Sequence, residues 1–486
     1  MKKQTLYYRL TMLVLLFFAS CTEFETDLDV ANTENPDLDT LYFDASALES
    51  TAAGLYQNWY MATTSTGATG FAMNTMADVS TCSWGNYAMR DTSSEPRVAF
   101  NNATSYSYAD ITEDMFNAYY SILSDANVIL AQVDAGLEFE EPELMQAIAK
   151  FAQALTIGYN ALVFDQVWLS DETGSLNDGE AVDYATAMDF ALEKLDEAIA
   201  ICDSSSFSVP ETWFPGSTMT NVELSQLMNS YGARMLTMVS RNGTEKAATD
   251  WSKVLDYTNN AIASDFEILH DDTTWYDLLK TYLVYPGWAR IDMYVINKMD
   301  PNTPDYWPTG ATILDPSTSD DARLESDFEY LSSNSFLLER GDYHFSSYRY
   351  ARYDEYISEW TITTPEIYKA EIDLYAAEAN LQLGNVADAA SIINAGTRVT
   401  RGGLPPIASD ADEVSDAIHY ERLVEMPLLS MGLTFFEMRK EDLLQEGTLL
   451  HFPVPGSALI AIPADNYTYG GTTGEAGYDY SIGGWR

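Results

Sequence analysis

Apolar residues recur at three- and four-residue spacing in segment after segment of this 486-residue chain, and that periodicity restricts it to a body built of paired helices. Ile148, Phe151, Leu155, Tyr159 and Leu162 fall on one helical face, and Tyr184, Met188, Ala191, Leu195 and Ile199 on another. Leu224, Leu227, Tyr231, Met235 and Met238 repeat the pattern, and after a break at Gly243 so do Trp251, Val254, Leu255, Thr258 and Ile262. In "PEIYKAEIDLYAAEANLQLGNVADAASIINAG", Ile367, Ala370, Leu374, Ala377 and Leu381 form one stripe, Gly384 ends it, and Val386, Ala390 and Ile393 begin a partner stripe. Small residues stand where such helices must approach. The expected fold class is therefore mainly α: about four tetratricopeptide-like helix pairs forming a right-handed superhelical scaffold, with long irregular loop insertions and a few short strands.

Two stretches break the helical period, residues 61–110 and 270–360, both rich in Trp, Tyr, Gly, Pro, Asn and Asp. Long ordered loops carried on a rigid body are where binding residues concentrate. No Pro/Gly/Ser linker separates independent domains, so residues 41–486 are expected to form one body.

The N-terminus predicts export. Lys2, Lys3 and Arg9 precede an apolar run from Leu10 to Ala19, too short for the roughly 20 residues a membrane span needs. Residues 1–20 read as a cleaved lipoprotein signal, with Ala19 and Ser20 before Cys21, the expected lipidation site of the mature protein. Residues 21–40 then form an acidic flexible tether that includes Glu23, Glu25, Asp27 and Asp29. Loss of residues 1–20 removes three basic residues and no acidic one, moving the formal charge from −49 to −52. So acidic a surface argues against nucleic acid and anionic lipid as partners and favours a neutral or cationic ligand. Besides Cys21 only Cys82 and Cys202 remain, without metal-ligand spacing; they either pair or stand as two buried thiols.

Several segments resemble the SusD/RagB family of outer-membrane nutrient-binding lipoproteins. "YYSILSDANVIL" is similar to its early Tyr-x-x-Ile…Asn motif, and "KFAQALTIGYNALVFDQVWL" to its Arg-Ala-Tyr…Tyr helix. "LYAAEANLQLG" with "INAGTRVTRGGLP" resembles its Tyr-Ala-Glu-Ala helix and Gly-Leu-Pro exit. "ERLVEMPLLSMGLTFFEMRK" resembles its Glu-Arg…Glu…Gly…Phe-Asp-x-Arg-Arg signature through Glu421, Arg422, Glu425, Gly432, Phe435, Phe436, Glu437 and Arg439. "HFPVPGSAL" matches its Pro-Ile-Pro segment, whereas Glu437 replaces Asp and the usual ending gives way to "GYDYSIGGWR". The resemblance implies a surface-exposed outer-membrane lipoprotein that captures oligo- or polysaccharide and acts as the lid of a SusC-like TonB-dependent transporter, with no chemistry and no cofactor. The alternatives are a peptide-binding, RagB-like member of the family and, from another class, a surface glycoside hydrolase.

A glycan presents flat C–H faces edged with hydroxyls, so its site needs aromatic faces beside amide, carboxylate or guanidinium groups. "MADVSTCSWGNYAMRDTSSEPR" supplies Asp78, Trp84, Asn86, Tyr87 and Arg90, with Gly85 and Asn86 marking a turn tip beside Trp84. The second insertion supplies Trp275, Tyr276, Tyr282, Trp288, Tyr306 and Trp307, although "GWARIDMYVI" reads as the start of a buried segment. "GDYHFSSYRYARYDEY" reads as a cross-strand structural ladder, and Arg90, Arg97, Arg349 and Arg352 make a candidate local anion patch. Net charge favours a neutral glucan as ligand. His270, His344, His419 and His451 are too widely spaced for a zinc site or a triad. Asp410, Asp412 and Asp416 lack the glycine and terminal glutamate of a calcium loop and read as a solvated helix start.

Overall fold

The computed structural model describes residues 44–81, 84–333, 346–472 and 479–485. The signal, Cys21, the acidic tether, Cys82 and His344 lie outside them. Ten helices make the scaffold: α1 (Ala45–Thr64), α2 (Asp110–Asp134), α3 (Pro142–Val163), α4 (Tyr184–Ser204), α5 (Asn221–Met238), α6 (Trp251–Asn259), α7 (Lys369–Gln382), α8 (Val386–Ala395), α9 (Ala411–Glu425) and α10 (Leu433–Lys440). Each of α1 to α5 packs on the next, α6 lies against both α5 and α7, and α7 pairs with α8 and α9. Strands are short, two to five residues, and occur among the described residues only as two-stranded antiparallel pairs. This is the mainly α class that the periodicity predicts.

The predicted stripes account for the packing. Every predicted residue of the first stripe is buried in α3, whose side chains are buried nearly all round because neighbours cover it on most sides. Each fully buried Leu, Ile or Phe contributes about 1.5–3 kcal/mol. The α5 stripe is buried throughout, while in α4 Met188, Ala191 and Leu195 are buried and Tyr184 and Ile199 half-buried. Local signals set the ends: Pro142 opens α3, Thr220 and Glu223 form a reciprocal capping box on α5, Asp410 caps α9, and Gly384 at φ +83° follows α7. Two boundaries differ from the periodic reading. Ile367 ends the strand Thr363–Ile367 instead of joining α7, because its backbone pairs with Phe266, and Ile262 is buried beyond the end of α6.

Small residues do mark the close approaches. A Cβ on Gly158 of α3 would sit 2.3 Å from Met235 Sδ of α5, and one on Gly232 of α5 would meet the Tyr257 ring of α6 at 2.8 Å. Cys202 is a buried free thiol with Sγ 4.0 Å from Met228 Sδ.

Charge also enters the core, for the most part in ion pairs. Arg234, fully buried, forks onto Glu371 at 2.7 and 2.9 Å and reaches Glu366 at 2.8 Å and the Tyr159 hydroxyl at 3.0 Å. Arg422 bridges Glu378 and Glu437, each at 2.6 Å, and Lys440 joins both carboxylates. Burial opposes the Glu437 charge, but Arg422 and Lys440 outweigh it and hold this carboxyl well below the usual range. A depressed folded-state pKa stabilises at neutral pH and stops doing so as pH falls below the unfolded value near 4.5. Stability followed by chemical denaturation is therefore expected to drop steeply below about pH 4.5, and Glu437→Gln to flatten that slope. Gly232→Val is expected to cost about 1–3 kcal/mol in the same assay by forcing α5 off Tyr257.

A candidate ligand-binding surface

Residues 80–81 and 290–291 pair antiparallel, Ser80 opposite Ile291 and Thr81 opposite Arg290, and Asp292 N–H donates to Val79 O at 2.8 Å. This short ladder joins the two insertions: the chain leaving one strand and the chain entering the other emerge side by side. Residues 84–90 thus lie against residues 282–288, and Trp84 Nε1–H donates to Gly287 O at 3.2 Å.

An aromatic patch results. Phe71, from the helix Gly70–Met76, is fully buried and forms its floor. Tyr87, Tyr282 and Trp288, all half-buried, lie above it, with centroid separations of 4.9 Å for Phe71–Tyr87, 5.1 Å for Tyr282–Trp288 and 5.9 Å for Tyr87–Trp288. Trp84 and Tyr285, from the same two segments, keep 49% and 51% of their surface exposed. Offset and tilted ring pairs of this kind hold one another in place, so the outer faces are presented without loss of side-chain freedom on binding. Burial and the adjacent Tyr282 push the Tyr87 phenol up to about 12, so it remains a neutral hydroxyl at physiological pH.

The turn that presents Trp84 is backbone-determined. Gly85, Tyr87 and Ala88 all have left-handed φ, +73°, +52° and +61°. The Arg90 side chain packs on Gly85, where a Cβ would lie 3.0 Å from it. Two successive non-glycine residues in this region cost energy that the surrounding packing must supply, a common mark of a functional turn. Half-buried Asn86 belongs to the same turn, and Arg90 also lines a 270 Å³ cavity with Asp91 and Tyr106.

Of the sequence candidates, the structure brings Trp84, Asn86, Tyr87, Arg90, Tyr282 and Trp288 together. Asp78 needs correcting: it is buried, paired with Arg97 at 3.0 Å and accepting from Gln445 and Trp485 at 2.8 and 2.7 Å, so it braces the loop from below. Trp275 is buried between Tyr56 and Tyr60 of α1, and Trp307 is buried against Met293, donating to Ala311 O at 3.1 Å. Neither can offer a ring face to a ligand. Tyr276 is half-buried with its carbonyl near Thr64 Oγ1, and Tyr306 is exposed beside Trp307. The anion patch is not formed, because Arg97 and Arg352 pair with buried carboxylates and Arg349, itself buried, with the exposed Glu329 and the half-buried Asp354. Around Arg349 the expected ladder is present, Phe328 opposite Tyr350 and Tyr330 opposite Tyr348. Sequence reasoning missed Tyr285 and Phe71. Tyr285 carried a usable signal, since Pro286 and Gly287 follow it just as Gly85 and Asn86 follow Trp84.

His270 is buried against Tyr60, and burial pushes it down to about 4, while His419 sits between Tyr294 and Glu437. Among the described residues no group of three or more His, Cys, Asp or Glu side chains is placed to hold a metal ion, and no helix is long and apolar enough to cross a membrane.

No family model and no curated protein matches the chain. Solved structures do. A SusD superfamily protein from Parabacteroides distasonis superposes with TM-score 0.59 at 14% identity, over 85% of this chain and 98% of that one. The fold is SusD-like. The surface glycan-binding protein A of Bacteroides uniformis gives TM-score 0.58 at 13% identity, covering 87% and 99% of the two chains. A SusD-like carbohydrate-binding protein of Bacteroides fragilis gives 0.56 at 13%, covering 82% and 87%. Within this SusD-like fold the motif residues Glu421, Arg422, Glu425, Glu437 and Arg439 are all buried, so the signature that carries the resemblance is architectural.

Bracing and presentation are separable by mutation. Asp78→Ala, which strands buried Arg97, is expected to cost about 3–5 kcal/mol, and exposed Trp84→Ala no more than about 0.5 kcal/mol, both read by chemical denaturation.

Proposed function

We propose that the aromatic patch is a glycan-binding surface and that the protein captures oligo- or polysaccharide for delivery to a SusC-like TonB-dependent transporter, over which it acts as a lid. The observation that carries this reading is the packed layer of Tyr87, Tyr282 and Trp288 in the same two segments as exposed Trp84 and Tyr285, with Asn86 and Arg90 in the adjoining turn. Aromatic faces complement sugar C–H surfaces, and the amide and guanidinium answer hydroxyls. The names of the Bacteroides uniformis and Bacteroides fragilis neighbours, a surface glycan-binding and a carbohydrate-binding protein, agree with it. A neutral glucan suits the acidic chain and the internal neutralisation of Arg97, Arg349 and Arg352. In this reading Cys21 is acylated and holds the mature protein at the outer face of the outer membrane, the acidic tether gives reach, and binding involves no cofactor and no bond cleavage.

Calorimetry and native affinity gels across neutral and anionic polysaccharides test the ligand class. Trp84→Ala is expected to weaken binding of the preferred glycan about tenfold or more, equivalent to ~1.4 kcal/mol per decade. Unchanged affinity would locate the site elsewhere. Shortened products from a labelled oligosaccharide would mean a hydrolase, and preferential capture of extended peptides a peptide-binding role.

A further inference from the structure

Cations are scarce in this chain and most are neutralised internally, yet two are left over in one place. The side chains of Lys298 and Arg398 form no hydrogen bond or ion pair with any described residue; each lies instead over an aromatic ring, Lys298 Nζ 5.2 Å from the Tyr294 ring and the Arg398 guanidinium 5.7 Å from the Tyr420 ring. Both line a cleft of about 640 Å³ between the end of the helix Met293–Met299, residues 318–320, the short helix Thr397–Thr400 and α9. That volume lies within the range of about 300–1,000 Å³ typical of small-molecule sites.

Carboxylates share the cleft. Asp300 is already engaged, accepting from Asn302, Thr303 and the Thr318 amide, and Glu413 accepts from the Ala408 amide. Asp320 and Asp416 are exposed and bond to no described residue. Two cations and two carboxylates thus face one cleft without any of them closing into an ion pair, whereas most other described cations of the chain are paired with carboxylates. A strongly anionic ligand would meet the acids and a cationic one the Lys and Arg. A vicinal diol satisfies both, accepting from guanidinium or ammonium and donating to carboxylate, with no net charge to bury. Thr318, Ser319 and Asn302 add neutral partners, and Leu404 and Ile407 an apolar wall.

We propose that this cleft is a second saccharide site, binding neutral sugar units through paired hydroxyls. It shares no residue with the aromatic patch, and it rests on the glycan-capture reading. A polymer long enough to engage both would be held by avidity that neither site has alone.

The test uses the mature chain with maltohexaose, cellohexaose and hexagalacturonate as calorimetric probes. Trp84→Ala with Tyr285→Ala disables the patch and is expected to leave weak, saturable binding of a neutral hexasaccharide. Adding Arg398→Ala or Asp416→Asn to that background should each lower the residual affinity about tenfold or more. Loss of all binding in the patch variant, with wild type still binding, would overturn the second site and leave glycan capture standing. So would residual binding indifferent to both added substitutions. Tighter hexagalacturonate binding on Asp416→Asn would make the cleft an anion site and overturn the neutral-sugar assignment. Failure of wild type to bind any glycan would instead remove the capture reading and this inference together.

Discussion

Buried ion pairing is the constraint on which the rest of this molecule turns. Arg323 in the middle insertion is fully buried and forks onto Glu421 of α9 at 2.7 and 2.8 Å while holding Asp321 and Glu425. Arg352 and Arg401 converge on the same Glu425, and Arg401 also holds Asp327. Such pairs add little net stability over an apolar core of equal volume, but removing one partner is severe because the other charge is stranded. Their consequence is positional: an irregular insertion is fastened to a helical body at specified points, and the strand pair that carries the aromatic patch grows from that fastened segment.

The same pairing shapes the outside. With 25 basic residues against 74 acidic ones, few cations are left for the surface once the interior pairs are made. Arg97, Arg349 and Arg352 look like surface cations when read along the chain, and all three are bound internally. On the proposed reading, ligand recognition then falls to aromatic faces and to hydroxyl-seeking polar groups, chemistry suited to an uncharged, hydroxylated ligand.

Much of the scaffold was legible in advance. A buried helical face repeats every 3.6 residues, so the stripes on α3 and α5 could be named to the residue, and Gly158 and Gly232 mark approaches that admit no side chain. The site was legible only in part. Trp84 was readable because a glycine beside an aromatic signals a turn tip, and Tyr285 carries the same mark. Trp275 and Trp307 were not separable from it, since an aromatic in a loop looks identical whether it covers the core or faces water; for Trp275 the distant helix α1 decides the matter, and for Trp307 the way its own insertion folds back over Met293.

Helix class, buried faces and acidity therefore follow from local order along the chain, because periodicity and charge are properties of neighbouring residues. Which loops meet, which tryptophan is bare, and where Asp78 spends its charge required contacts between residues such as Thr81 and Arg290, or Asp78 and Trp485. Those contacts are set by how the helices stack, which is a property of the whole fold.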